Sequence, residues 1–349
     1  MADPKRDRQG WKGAGGRAPA AATRGPTRKW KPTDGGPPGN GRRRVAQVAL
    51  VAGLLACVLG AVYALMLLRT PPRAAVVFVA MDPIADGPKL DVPFDLYGWL
   101  TAKQFLTEAR RQAEGDGSRW GKTALAVANR TDAPEALPAD PGELRDWLHA
   151  LRKSDPLVVY LGLPCRVGPG GPFLVTGGRA GDRPSRLAVA DLLKTVADEL
   201  AEKHVLILFD NGREPADPLA GPFRDDFAAR LRDDPAVQEA LRGCPNLQLV
   251  CGAAEGQRGW ESEERQATAF GYAALRGLLG DLPPPGDGTG VATAADLFAH
   301  ARSATEQWTR NNRPNPQTPT RLPDDDGRGR AIRVGIRPET PPPEPAVPA

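Results

Sequence analysis

Val205-Leu206-Ile207-Leu208-Phe209-Asp210-Asn211-Gly212-Arg213 is the stretch on which the fold turns. Five consecutive large apolar residues without polar alternation read as a strand buried on both faces, the kind that fills a parallel sheet. The polar residues that follow then lie at a strand's carboxyl end, where an open α/β sheet keeps its ligand crevice. Leu157–Leu163 is a second strand of the same kind and runs out into Pro164-Cys165-Arg166. Neither loop contains a histidine.

Outward from this pair, Ala74–Met81, Lys122–Ala128 and Leu247–Cys251 read as further short buried strands. Apolar residues recur at three- and four-residue spacing over Leu100–Gln112, Pro141–Arg152, Ser185–Lys203, Pro222–Arg242 and Arg265–Leu279, with Thr293–Arg310 as a last helix. Asp140 before Pro141 is a ready cap. The alternation predicts an α/β fold over residues 74–322, a three-layer sandwich with a mostly parallel central sheet and right-handed crossovers. Gly168-Pro169-Gly170-Gly171 reads as a hairpin turn leading into Pro172–Val175, because proline removes an amide that a phosphate cradle needs.

The two ends are of another composition. Of the 349 residues, 39 are Gly and 37 Pro, gathered toward the termini. Residues 1–44 hold 12 Lys/Arg against 3 Asp, leaving 34 basic and 39 acidic side chains in the remaining 305, so a net +4 conceals a basic arm on a mildly acidic body. The arm has too few large aliphatics to offset its ordering entropy and is expected to be disordered. Val45–Leu68 spans roughly 36 Å as a helix, enough for a bilayer core of about 30 Å, and reads as a single-pass, signal-anchor transmembrane helix. Arg42-Arg43-Arg44 on one flank against Arg69 and Arg73 on the other places the amino terminus in the cytoplasm and the carboxyl-terminal domain outside. Leu54-Leu55-Ala56-Cys57 resembles a lipoprotein cleavage box, but Cys57 sits mid-helix and is better read as a membrane-buried cysteine. The basic clusters suit retention beside anionic lipid; without aromatic interleaving, nucleic acid is not expected. Residues 323–349, with Asp324-Asp325-Asp326 and Pro-Pro-Pro-Glu-Pro, read as a solvated, disordered tail.

Several chemistries are excluded by spacing. Gly121-Lys122-Thr123 lacks a glycine five positions earlier, where Asp116 stands, and continues into a strand rather than the helix a phosphate loop requires. The three histidines, His149, His204 and His300, are isolated, so neither a metal site nor any cofactor is expected. Cys165 follows a strand at the right rim, but His149 and His204 fall on the opposite rim, and a structural cysteine is the better reading. An odd count of three cysteines beyond the span, Cys165, Cys244 and Cys251, argues against a disulfide-built fold. A Cys244–Cys251 bridge is an open alternative that nothing supports. The rim is polar, with Arg166, Asp210, Asn211, Arg213, Glu214, Glu255, Gln257 and Arg258, and suits binding of a charged peptide segment.

The order of segments resembles the caspase/metacaspase family of cysteine peptidases, particularly its divergent bacterial members. Leu157–Cys165 is similar to the family's strand ending in His-Gly, with Pro164 in the histidine's place and Cys165 in the glycine's. Val205–Arg213 is similar to the strand ending Asp-x-Cys-Arg, with Asp210 and Arg213 matching and Gly212 in the cysteine's place. Leu249–Gln257 followed by Phe270–Leu278 resembles the strand, loop and helix flanking the substrate groove, and Asn311–Pro319, containing Gln317-Thr318-Pro319, the closing segment. The resemblance implies a caspase-type sandwich of peptide-binding ancestry with both catalytic positions replaced. Joined to the apolar span and the polar rim, it gives the expectation of a membrane-anchored pseudopeptidase binding a protein or peptide through Arg166, Asp210, Asn211, Arg213, Glu255 and Gln257. The alternative is an active cysteine endopeptidase using Cys165 with a base the sequence does not identify.

Overall fold

The elements, in chain order, are β1 (Ala74–Ala80), α1 (Leu96–Ala113), β2 (Trp120–Val127), α2 (Pro141–Leu151), β3 (Leu157–Gly162), β4 (Cys165–Gly168), β5 (Gly171–Gly177), β6 (Ser185–Ala188), α3 (Val189–Leu200), β7 (Val205–Phe209), α4 (Phe227–Asp233), α5 (Pro235–Gly243), β8 (Leu247–Cys251), β9 (Glu261–Ser262), β10 (Ala267–Thr268), α6 (Ala269–Arg276), β11 (Val291–Thr293), α7 (Ala294–Asn312), β12 (Thr320–Leu322), α8 (Asp326–Ala331) and β13 (Arg333–Ile336). They come from a computed structural model that describes residues 57, 59, 74–80, 96–113, 120–127, 140–177, 185–212, 226–282, 291–324 and 326–336. The chain divides into two compact units, Met1–Arg69 and Thr70–Ala349, and the elements above belong to the second. The expected arm 1–44 and span 45–68 lie outside the described residues apart from Cys57 and Leu59, as do residues 337–349. No helix among the described residues is long and apolar enough to cross a membrane.

The central sheet has the order β12-β8-β7-β3-β1-β2. Its strands run parallel except β12, which pairs antiparallel with β8. Every residue of β3, β7 and β8 is buried, as the uninterrupted apolar runs of β3 and β7 predict, and β8 buries the polar Gln248 along with its apolar neighbours. Strand period sorts these side chains onto two faces. Val205, Ile207 and Phe209 join Leu157, Val159 and Leu161 in a cluster with α2, α3, α4 and α5. Leu206 and Leu208 join Val158 and Tyr160 in a second cluster with α1, α6 and α7. Each such apolar side chain contributes about 1.5–3 kcal/mol by leaving water, so the middle of the sheet anchors both helical layers.

The Gly168–Gly171 turn does join a hairpin, β4–β5, extended by β6 into a small antiparallel sheet. Four sequence expectations change. The helix expected from Ser185 begins at Val189, because Ser185–Ala188 pair with β5 and Leu187 faces Leu174. The Pro222–Arg242 helix is cut at Asp234-Pro235: proline disfavours the helical region for the residue before it, and Asp234 is extended at ψ 118° with its carboxylate accepting from the Ala236 and Val237 amides. The Arg265–Leu279 helix starts at Ala269, since Ala267–Thr268 pair with Glu261–Ser262. Finally, residues 326–336 of the expected solvated tail instead form α8 and β13. Arg328 reaches the Leu241 carbonyl at 2.7 Å, Ile332 and Val334 are buried, and β13 pairs with β11. Gly121-Lys122-Thr123 lies within β2, in strand rather than at a helix start.

Ile207 is 1 % exposed at the middle of the sheet, whereas Leu96 is 37 % exposed at a helix start. Ile207→Ala is expected to cost about 2–5 kcal/mol and Leu96→Ala under about 0.5 kcal/mol, read as urea midpoints. Equal shifts would show that the sheet centre is not the anchor of the core.

Candidate functional site at the carboxyl rim

The Asp210 amide continues the ladder past β7 by donating to the Leu161 carbonyl at 3.1 Å. The parity that turns Leu206 and Leu208 toward α1 and α6 turns Asp210 the same way. There Oδ2 accepts the Thr268 hydroxyl at 2.5 Å and the Tyr160 hydroxyl, with the residue only 1 % exposed. Thr268 is also the cap of α6: its Oγ1 accepts the Gly271 amide at 3.0 Å, and its own amide donates to Thr101 Oγ1 at 3.1 Å. The Thr101 hydroxyl in turn donates to the Tyr97 carbonyl at 2.6 Å. A carboxylate at a helix start is favoured by the helix dipole. Gly271 must lack a side chain here, since a methyl group would stand 2.6 Å from the Tyr160 hydroxyl and 2.8 Å from a Thr101 carbon.

The next residues fasten the rim loops. Asn211, also 1 % exposed, forms a reciprocal pair with Ala253: Nδ2 donates to the Ala253 carbonyl at 3.2 Å and Oδ1 accepts its amide at 3.0 Å. The Gly252 amide donates to the Phe209 carbonyl at 2.8 Å and the Gly259 amide to the Gly212 carbonyl at 2.7 Å. Gln257 pairs with Thr318, accepting its amide at 2.6 Å and donating to its hydroxyl oxygen at 3.3 Å. Sequence reasoning places Asp210, Asn211 and Gln257 on a solvated binding fringe; instead their polar atoms hold the protein's own loops. Glu255 is exposed, Arg166 half-buried opposite Phe173, and Arg213 outside the described residues.

Gln317 is the residue sequence reasoning misses. It is fully buried, donates to the Gly252 carbonyl at 2.8 Å, accepts the Trp260 amide at 2.8 Å, and its amide donates to Thr309 Oγ1 at 3.1 Å. The only sequence signal for it is its place in the closing segment.

Pro164 and Gly212 follow neighbouring strands at this rim. Gly212 is buried at φ +83°, a region L side chains rarely adopt, and the Pro164 carbonyl accepts the Val175 amide at 3.0 Å. Cys165 is 6 % exposed in the cluster on the opposite face from Asp210, its Sγ 3.4 Å from the Leu163 carbonyl. The histidines lie elsewhere. His149 Nδ1 is 3.5 Å from Glu199, and His204 Nδ1 3.0 Å from Asp155 at the amino-terminal rim. His300 is on α7 beside Gly277, in the layer across the sheet from Cys165. None of the four cysteines is in a disulfide, so Cys244 and Cys251 are not bridged. Burial pushes the Cys244 thiol up, offset in part by the Asn246 backbone and by Arg328. Among the described residues no group of three His, Cys, Asp or Glu side chains is placed to hold a metal ion.

No family model matches the chain, and no curated protein matches it by sequence. Among solved structures it is similar to protein GSU0716 from Geobacter sulfurreducens, at 12 % identity over 75 % of this chain and 99 % of that one, with a TM-score of 0.40. It is also similar to the Drosophila initiator caspase Dronc, at 9 % identity over 72 % of this chain and 79 % of that one, with a TM-score of 0.38. A caspase thus stands among the structural neighbours, as a weak likeness of fold at most.

Gly271→Ala is expected to destabilise by about 1–3 kcal/mol through overpacking, read as the urea midpoint; an unchanged midpoint would show that the hydroxyl network yields freely. Cys244 supplies a pH prediction. A thiol that stays protonated to higher pH in the fold than in the unfolded chain contributes stability in full below about 8.5, the ordinary cysteine value, and loses it as pH rises through the raised folded value. The midpoint of the natural protein should therefore fall more steeply above about pH 8.5 than that of Cys244→Ala, and parallel slopes would refute this.

Proposed function

We propose that the chain is a membrane-anchored, caspase-like module without peptidase chemistry, which works by binding a protein or peptide segment. The observation that carries this reading is Gly212. At the position the resemblance gives to a nucleophilic cysteine stands a buried glycine in a backbone conformation hostile to a side chain, tied through its carbonyl to the loop at Gly259. Pro164, in the place of the base, has no ring nitrogen able to take a proton. Cys165 is only 6 % exposed and belongs to the apolar cluster on the opposite face of the sheet from Asp210, whereas covalent catalysis needs a nucleophile that a substrate can reach.

What the rim offers a partner is therefore its outer loops. Glu255 and Arg258 are exposed beyond the Asn211–Ala253 clasp, and Val167, 38 % exposed, stands at the neighbouring hairpin. Attachment to the bilayer rests on the length and apolarity of Val45–Leu68, and an outer location for the domain on the excess of arginine before it.

Treating the full-length protein with a peptidyl thiol-directed probe, alongside a fluorogenic peptide library, tests the reading. The expected result is no labelling of Cys165 by mass spectrometry until urea is added, and no turnover. Stoichiometric labelling in the native state, with peptide hydrolysis that Cys165→Ser abolishes, would replace it with an active cysteine peptidase.

A further inference from the structure

Three guanidiniums and three aromatic rings alternate in one continuous row of contacts beside the rim. Arg258 lies 5.0 Å from the Trp260 ring; Arg313 lies 5.6 Å from that same ring and 4.8 Å from Trp308. Arg265 continues the row, 5.6 Å from Trp308 and 4.6 Å from Tyr272. The six side chains come from the loop after β8, the β9–β10 turn, α6 and the end of α7. Trp260 is fixed at both nitrogens, its amide on Gln317 and its Nε1 on the Asn315 carbonyl at 2.9 Å.

A guanidinium attracted to a ring by its charge still keeps N–H groups for other partners. Arg313 uses part of its edge on the carbonyls of Glu261, at 2.5 Å, and Asn312, at 3.0 Å. Among the described residues, Arg258 and Arg265 donate no side-chain hydrogen bond, and none of the three forms an ion pair with a carboxylate. The row stays open to solvent, with Arg258 exposed and the other five half-buried.

From this we infer that the row is a docking strip for an extended acidic segment of a partner protein, a proposal that rests on the binding-module reading and names the chemistry of its partner. Guanidinium forks donate to both oxygens of a carboxylate at once, and here the rings hold the forks in place before binding, so less side-chain freedom is lost on association. In an extended segment, side chains on one face recur about every 6.8 Å, so one face offers repeated carboxylates to the successive guanidiniums. A nucleic acid fits less well. Arginine already stands over the rings on which bases would stack, and the exposed Glu255, Glu263 and Glu264, close by in the chain, oppose a continuous phosphate backbone more than a peptide whose carboxylates are spaced.

The test titrates the full-length protein with a fluorescein-labelled peptide alternating Glu and Thr, its Gln-for-Glu counterpart, and a single-stranded oligonucleotide of equal charge. The Glu peptide is expected to bind and to change tryptophan fluorescence, while the Gln peptide does not bind. The double variant Arg258→Ala/Arg265→Ala should weaken binding at least about tenfold at unchanged melting temperature. Arg258→Lys/Arg265→Lys, which keeps the charge and loses the planar fork, should recover little of it. Should the double variant melt early, Arg258→Ala alone decides, since that exposed side chain makes no hydrogen bond in the fold. Absence of binding, binding indifferent to both variants, full recovery by lysine, or tighter binding of the oligonucleotide would each overturn the proposal. Labelling of Cys165 is read separately, so failure here is distinguishable from failure of the inert-module reading.

Discussion

A carboxylate buried at the end of β7 organises this domain. Asp210 is withdrawn from water, a costly state unless hydrogen bonds compensate, and its compensation comes from two hydroxyls on two other elements. Tyr160 must therefore project from β3 on the same face, and Thr268 must sit where it caps α6 and reaches the sheet at once. Thr101 on α1 enters the same chain through the Thr268 amide. One acidic group thus fixes the position of a helical layer against the sheet, and it leaves no room for a side chain at residue 271.

The closed character of the rim follows from that placement. With Asp210 turned inward, Asn211 is left to bind Ala253, and the loop it holds brings Gly259 to Gly212 and Trp260 to Gln317. The Asn211 and Gln317 side chains at this rim hold backbone. The surface that remains for contact is the outside of these loops, where arginines rest on tryptophan and tyrosine rings.

Much of the scaffold is legible in the sequence because buried strands carry their own signal. Val205–Phe209 and Leu247–Cys251 coincide with β7 and β8: the first is an apolar run closed by Asp210 and Asn211, and the second keeps enough apolar length for a buried strand despite Gln248. Helix limits are less legible where pairing or proline overrides periodicity, as at Ser185–Ala188 and Asp234-Pro235. The fold of residues 326–336 is hidden for a related reason: Gly327, Arg328, Gly329 and Arg330 look solvated in one dimension, and only the waiting carbonyls of α5 and the partner strand β11 make that segment structured. At the rim, sequence locates Asp210 and Asn211 but not the direction in which they point, because direction is decided by Thr268 and Ala253, distant in the chain. The arginine–aromatic row is illegible for the same reason, its members lying between residues 258 and 313.

The far edge of the sheet carries a consequence for behaviour in a crowded cell. β12 is a three-residue strand, with Arg321 over the Phe298 ring and Pro323 directly after it. A border so short, charged in the middle and ended by a residue without an amide hydrogen is a poor template for a further strand. On that side the parallel core is shielded from recruiting other chains into aggregates.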